Sequence, residues 1–171
     1  MTAPCFVDAN VFVYARDPRD PLKQARAAEW IGWLWRQRAG RTSFQVLSEF
    51  YTVATRKLTP RVADDLAWDD VMRYFAWAPQ ETNEALLRRA REIERRYPLS
   101  WWDSMVVAAA QLQDCVLLVT EDLQDGMVFG PVTVRSPFTS VLEEPAAAYV
   151  PARAASLHRP RGRPKRVSAR A

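Results

Sequence analysis

At 171 residues the chain has room for one domain, and 49% hydrophobic with 11% aromatic residues can bury a core, which excludes wholesale disorder. Five glycines leave neither a G-x-G-x-x-G nor a G-x-x-x-x-G-K-[ST] loop, so the two commonest phosphate cradles are absent. The net charge of +4 divides unevenly: residues 1–144 carry 17 Lys and Arg against all 20 acids, and residues 145–171 carry 7 Lys and Arg with no acid.

Residues 4–8 open the chain as a short apolar run ending in an acid, the pattern of a buried parallel strand. From Pro21 to Arg38, Ala25, Ala28, Ile31 and Trp35 recur at helical spacing. The same helix carries Trp30, Trp33 and Leu34, more apolar surface than one stripe needs. An interface with a second copy or a protein partner is the reading preferred over an aromatic-rich core. An extended Arg41-Thr42-Ser43 precedes a helix from Phe44 to Lys57, and a third helix runs from Arg61 to Tyr74. Ala76-Trp77-Ala78 reads as a short strand. The amphipathic helix Asn83–Tyr97 places Leu86, Leu87, Ala90, Ile93 and Tyr97 on one face. Trp102–Gln113 is apolar nearly all round, as a buried helix should be. Val116–Thr120 is a buried strand, Asp125-Gly126 a turn, and Val132-Thr133-Val134 a last strand. Successive βα units predict an α/β, three-layer fold with a mostly parallel central sheet flanked by helices.

After Leu142 the composition turns to Ala, Pro and Arg, with almost no large apolar side chains. Residues 1–142 are expected to form the domain and 143–171 a basic, disordered tail. The longest apolar run, Met105–Ala110, is too short to cross a bilayer, and no basic-then-apolar leader opens the chain, so a soluble, cytoplasmic protein is expected. Cys5 and Cys115 sit in separate apolar runs and read as buried thiols. The single histidine, His158, lies in the tail, which disfavours a histidine base or a histidine-rich metal site.

Most acids fall on polar faces or in loops, but four stand among apolar neighbours: Asp8, Glu49, Asp103 and Asp122. An uncompensated buried carboxylate costs several kcal/mol, about enough to make it titrate instead. Asp8 and Asp122 end predicted parallel strands and Asp103 opens a helix, so they border the crevice where open α/β sheets bind ligands. Acids converging there repel unless a hard, oxygen-preferring cation such as Mg²⁺ or Mn²⁺ lies between them. Such an all-acid site suits metal-assisted phosphodiester hydrolysis. Trp101 and Trp102 flank Asp103, with packing preferred over stacking on a base.

The run Phe6-Val7-Asp8-Ala9-Asn10-Val11-Phe12-Val13-Tyr14-Ala15 resembles the opening strand of PIN-domain ribonucleases. Gln45–Tyr51 running into Ala54–Lys57, then Trp102-Asp103-Ser104 with Val107–Ala110, then Thr120–Gly126, resemble the following three motifs in family order, across about residues 4–138. The branch resembled is the VapC-type toxin of type II toxin–antitoxin systems. The resemblance implies a Mg²⁺- or Mn²⁺-dependent endoribonuclease, a homodimer, and a cognate antitoxin that silences it. It implies that Asp8, Glu49, Asp103 and Asp122 form a catalytic quartet. Asp8 and Asp103 are the first choice as direct metal ligands, and Glu49 and Asp122 bind directly or through water. Asn10 would orient Asp8 and Thr120 support the fourth acid, with the direction of Glu121 left open.

In the tail, Pro160–Lys165 resembles the AT-hook core, whose extended Arg-Gly-Arg enters the minor groove of A·T-rich DNA. Arg159, Arg161, Arg163, Lys165 and Arg166 suit a non-specific nucleic-acid arm at least as well. Two alternatives to the nuclease remain: a Mg²⁺-dependent phosphatase of another α/β fold, which would usually place an aspartate where Asn10 stands, and a catalytically silent nucleic-acid or partner-binding module.

Overall fold

The computed structural model describes residues 2–139, and three short apolar runs organise them. These are the strands Cys5–Val7 (β1), Leu117–Val119 (β3) and Val132–Arg135 (β5), joined by Gly40–Arg41 (β2) and Val128–Phe129 (β4). The sheet runs in the order β2-β1-β3-β5-β4. All neighbours are parallel except β4, which pairs antiparallel with β5. Phe6 lies opposite both Arg41 and Leu118, and Leu118 opposite Val134. The middle strands are buried on both faces, as expected for a parallel sheet covered by helices. Because β1 is followed in sequence by a neighbour on one side and β3 leads to neighbours on the other, the carboxyl ends of β1 and β3 flank a switch point in strand order.

Six helices cover the sheet: Ala9–Tyr14 (α1), Pro21–Gln37 (α2), Phe44–Arg56 (α3), Asp64–Tyr74 (α4), Glu84–Arg96 (α5) and Trp101–Leu112 (α6). The first four pack against one another, α5 packs on α6, and α6 rests on β3 and β5. In α6 every residue from Ser104 to Ala110 is buried, and its run of small side chains lets it lie close to the sheet. Side-chain caps set the starts: Asp20 accepts from the Lys23 N–H, Ser43 from Val46, Asn83 from Leu86 and Ser100 from Asp103. Arg38 closes α2 in the left-handed region, at φ 54°. Both cysteines are buried free thiols. In α5, Leu86, Ala90 and Ile93 are buried as expected, whereas Leu87 is exposed.

Three expectations need correction. The apolar run after Asp8 is not strand but α1. Val11, Phe12 and Val13 favour extended structure by themselves, yet the Asp8 carboxylate accepts the Ala9 N–H and Val11 and Phe12 pack inward as a helical face. Ala76-Trp77-Ala78 is not a strand either: Phe75–Trp77 is a 3-10 turn that prolongs α4. Trp77 is pinned among Phe12, Trp35 and Tyr74 and lies so close to Gly40 that a Cβ there would come within 2.4 Å of its ring. The extended pairing occurs later, where Gln80 bridges Ser43 in parallel. The tryptophans of α2 pack on the core, Trp30 buried and Trp33 and Trp35 half-buried, so less of that surface stands free for an interface than expected. Trp30, Ile31 and Leu34 are buried, Trp33 packs on Trp30, and Trp35 stacks on Tyr74 with ring centroids 6.1 Å apart. The exposed aromatic surface lies elsewhere, where Phe44 of α3 meets Phe75, and Trp68 of α4 meets the half-buried Tyr51. No helix among the described residues is long and apolar enough to cross a membrane. The domain boundary at residue 142, the basic tail and His158 lie outside the described residues.

Candidate active site

Asp8 stands at the carboxyl end of β1, where its backbone N–H continues the sheet by donating to the Val119 carbonyl, 3.1 Å. Its side chain is only 8% exposed. One carboxylate oxygen accepts from the Ala9 N–H at 2.7 Å, and the other accepts from the Thr120 hydroxyl at 2.8 Å. Thr120 follows β3 and is fully buried, which fixes that hydroxyl between the two strand ends.

Asn10, in the first turn of α1, ties the neighbouring groups together. Its amide nitrogen donates to Thr120 Oγ1 at 2.8 Å, to Asp122 Oδ2 at 2.9 Å and more weakly to Asp8 Oδ2 at 3.3 Å. The Asp122 N–H in turn donates to Thr120 Oγ1, 3.1 Å. The Asn10 carbonyl oxygen is buried without a hydrogen-bond partner. Asn10 therefore bridges two acids, Asp8 and Asp122, a wider role than orienting Asp8 alone.

Glu49 projects from the flank of α3, at the edge of the buried face formed by Val46, Leu47 and Phe50, and is exposed. Asp103 lies half-buried in the first turn of α6. Ser100 holds it reciprocally: the hydroxyl donates to Asp103 Oδ2 at 2.7 Å and accepts from the Asp103 N–H at 3.1 Å. The positive end of the helix dipole adds roughly 0.3–1 kcal/mol in favour of the carboxylate there.

These four acids feel one another. Burial pushes the Asp8 carboxyl up to about 7, with the charges of Asp122 and Glu49 adding to the rise and the Thr120 and Ala9 hydrogen bonds opposing it. Glu49 is also raised, first by lost hydration and then by Asp122 and Asp103, against the pull of Lys57. Among the described residues none of the four is in an ion pair: Lys23 is bound to Glu121 and Arg16 to Asp70, and Lys57 acts on Glu49 without pairing with it. The donor set is all oxygen, anionic and uncompensated, which fits a hard divalent cation. As the side chains stand, no three Asp, Glu, His or Cys among the described residues are grouped tightly enough to hold a metal ion.

Glu121 turns away from this cluster to Lys23, 2.6 Å. Trp101 packs against the core, whereas Trp102 is 64% exposed, so the packing expectation holds for the first and not for the second. Arg159, Arg161, Arg163, Lys165 and Arg166 lie outside the described residues. The sequence reading missed Ser100, although the Ser-x-x-Asp spacing before an apolar helix was a usable signal. It also missed Lys23, for which a partner 98 residues away in the chain gave none.

A PIN domain family model matches residues 5–124. Among solved structures, the chain is similar to the crystal structure of Mycobacterium tuberculosis VapC20, a sarcin-ricin loop cleaving toxin. The identity is 17% and the TM-score 0.50, over 67% of this chain and 86% of that one; the likeness is one of fold. A comparison with curated proteins returns no match.

Proposed function

The chain belongs to the PIN-domain family, and we propose that it is a Mg²⁺- or Mn²⁺-dependent endoribonuclease, the toxin of a toxin–antitoxin pair. One observation carries the nuclease reading. A buried aspartate, Asp8, feels the charges of Asp122 and Glu49 at the carboxyl edge of the sheet, Glu49 in turn feels Asp103, and none of the four is in an ion pair among the described residues. A stable fold gains nothing from that arrangement, and a site that takes up a divalent cation needs it.

Asp8 and Asp103 are the residues that would hold the cation, with Glu49 and Asp122 contributing directly or through water. When bound, the cation supplies charge to meet the scissile phosphate and makes an attached water acidic enough to ionise near neutral pH. Thr120 and the Ala9 N–H keep the Asp8 carboxylate in a single orientation, and Asn10 spans it to Asp122. Ser100 does the same for Asp103. In-line attack by water on the phosphorus would break the bond to the 3′ oxygen, which takes up a proton, leaving 5′-phosphate and 3′-hydroxyl ends. The similar structure, VapC20, is a sarcin-ricin loop cleaving toxin, in keeping with the toxin role proposed; an RNA substrate, a cognate antitoxin and a homodimer belong to the same proposal. The basic residues of 143–171 add a nucleic-acid arm, so its deletion is expected to weaken RNA binding most at low salt.

The test is cleavage of total cellular RNA by purified, antitoxin-free protein in Mn²⁺, Mg²⁺ or EDTA. Cleavage is expected with either metal and not in EDTA, with 5′-phosphate products, and Asp8→Asn and Asp103→Asn are each expected to lose at least about a hundredfold. Cyclic phosphate ends, or metal-independent cutting, would overturn the mechanism. Folded protein that cuts nothing would favour the silent binding module.

A further inference from the structure

Next to the acid cluster lies a second, cationic one that the mechanism above does not use. Lys23, in the first turn of α2, places its ammonium 2.6 Å from Glu121 Oε2 and 3.1 Å from the Tyr14 hydroxyl. It also sits over two rings, 4.3 Å from the Tyr14 centroid and 4.8 Å from that of Phe138. Tyr14 and Phe138 pack edge to face at 5.0 Å. Lys23 thereby joins four separate parts of the chain: the end of α1, the start of α2, the segment after β3, and the segment after β5.

The position of Glu121 gives this cluster a purpose. Residues 121–123 bend the chain just after β3. With Glu121 drawn to Lys23, Asp122 is turned to the other side, where Asn10 meets it at 2.9 Å. Otherwise the segment is held by the Asp122 N–H bond to Thr120 Oγ1, by Asn10 and by the half-buried Leu123; residues 121–124 belong to no helix or strand, and Asp122 is exposed. The geometry points to Lys23 as a positioning residue that, through Glu121 and braced by Tyr14 and Phe138, fixes the direction of Asp122 into the acid cluster. Glu121 is then a counter-ion and not a ligand. This rests on the metal-dependent nuclease reading for its consequence, but not for the clamp itself.

Simple electrostatics gives the opposite expectation, which separates the two accounts. A lysine beside a divalent-cation site repels the cation, so its removal should tighten metal binding. If Lys23 positions Asp122, its removal loosens binding instead. Mn²⁺ binding to the full chain is measured by calorimetry at pH 8 for wild type, Lys23→Met, Lys23→Arg, Glu121→Gln and the Lys23→Met/Glu121→Gln pair. Melting temperatures report on folding, and hydrogen exchange reports on residues 120–125. The expected result is about tenfold weaker Mn²⁺ binding in Lys23→Met and in Glu121→Gln, the scale usual for groups that orient ligands. The double variant should be no weaker than either single change, and Lys23→Arg should stay close to wild type. Exchange should quicken at residues 121–124 and stay slow in β1.

Unchanged or tighter binding in Lys23→Met overturns the proposal. Weaker binding in Glu121→Gln alone would make Glu121 a ligand and also overturn it. If the wild type binds no Mn²⁺, the nuclease reading fails and exchange alone decides. Quickened exchange at 121–124 in Lys23→Met keeps the clamp, and an unchanged pattern removes it.

Discussion

Asp8 and Asp70 are buried to nearly the same degree, 8% and 4% exposed, and the protein treats them in opposite ways. Asp70, on α4, receives a two-pronged Arg16: Nε donates to Oδ2 at 2.7 Å and Nη2 to Oδ1 at 2.6 Å, with Arg73 at 4.0 Å behind. Asp8 receives only neutral donors, a hydroxyl, a backbone N–H and a weak amide. Paired in the first way, a buried carboxylate fastens one segment to another and is chemically spent. Left in the second way, it is pushed toward its protonated form, and an incoming cation would favour the charged one. Burial alone therefore does not mark a candidate functional acid; burial without a cation is the more telling feature. Asp17 follows the rule on the structural side, buried and matched by Arg19 at 2.7 Å.

The strongest way to break this contrast is to make Asp70 resemble Asp8. Arg16→Met leaves the Asp70 carboxylate with only the distant Arg73, at 4.0 Å. Orphaning a fully buried charge costs about 3–5 kcal/mol; with the Arg16 side chain 34% exposed, water reaches part of the site and the loss is expected to be about 2–4 kcal/mol. Urea unfolding measures it. RNA cleavage per folded molecule should stay at the wild-type level, because Arg16 touches none of the four acids. A fall in cleavage at temperatures where the variant is fully folded would show that the two regions are coupled.

The converse change is smaller. In the absence of metal, folded Asp8 holds its proton up to about pH 7, whereas an unfolded carboxyl releases it near 3.8. Between those values the folded state binds more protons, so this group's contribution to stability falls as pH rises and levels off above about 7. Asp8→Asn removes that titration. In EDTA the variant should match wild type near pH 3 and be more stable at pH 8 by about 1–3 kcal/mol, less than the full linkage because an amide cannot repeat every hydrogen bond of the carboxylate. The same substitution that is expected to cost cleavage should raise the melting temperature, the trade expected where a site is kept at the cost of stability. A variant less stable than wild type at pH 8 would mean that Asp8 is structural.

The strands and most helices were legible because their signals are local: buried apolar triplets, capping residues, a 3.6-residue stripe. Asp8 was legible for a related reason, an acid within an apolar run. The other three acids were found through their company, although Glu49 and Asp122 are exposed and their apolar neighbours point elsewhere. What could not be read was set by tertiary contact. Val11, Phe12 and Val13 favour a strand until the Asp8 cap and the packing against α3 make them helical. Trp77 favours a strand until Gly40 and three aromatic rings enclose it. Asp70 reads as one more acid on a polar helix, since only the fold brings Arg16, 54 residues away, against it. The tryptophans of α2 were over-read for the same reason, because Tyr74 and Trp77, which cover Trp35, come from later elements.

The finest test concerns how far neutral donors can stand in for an arginine. Of the groups that lower the Asp8 pKa, the Thr120 hydroxyl contributes most, ahead of the Ala9 N–H. Thr120→Val keeps the shape of a fully buried side chain and deletes that donor, together with the acceptor used by Asn10 and the Asp122 N–H. One hydrogen bond to a charged group is worth about 1.5 kcal/mol, so the Asp8 titration should move up by roughly one pH unit. The carboxyl carbon resonance of Asp8, followed by NMR in EDTA, reads this directly and needs neither metal nor RNA. Thr120→Ser, which restores the hydroxyl, should return the midpoint to the wild-type value. A midpoint that stays in place with valine would mean that the hydroxyl orients Asp8 without stabilising its charge, and that Asn10 and the Ala9 N–H suffice to keep it ionisable. A midpoint that climbs as expected would mean that one buried threonine keeps the site's most buried acid ready for a cation at neutral pH, a task that an arginine could perform only by occupying the place of the metal.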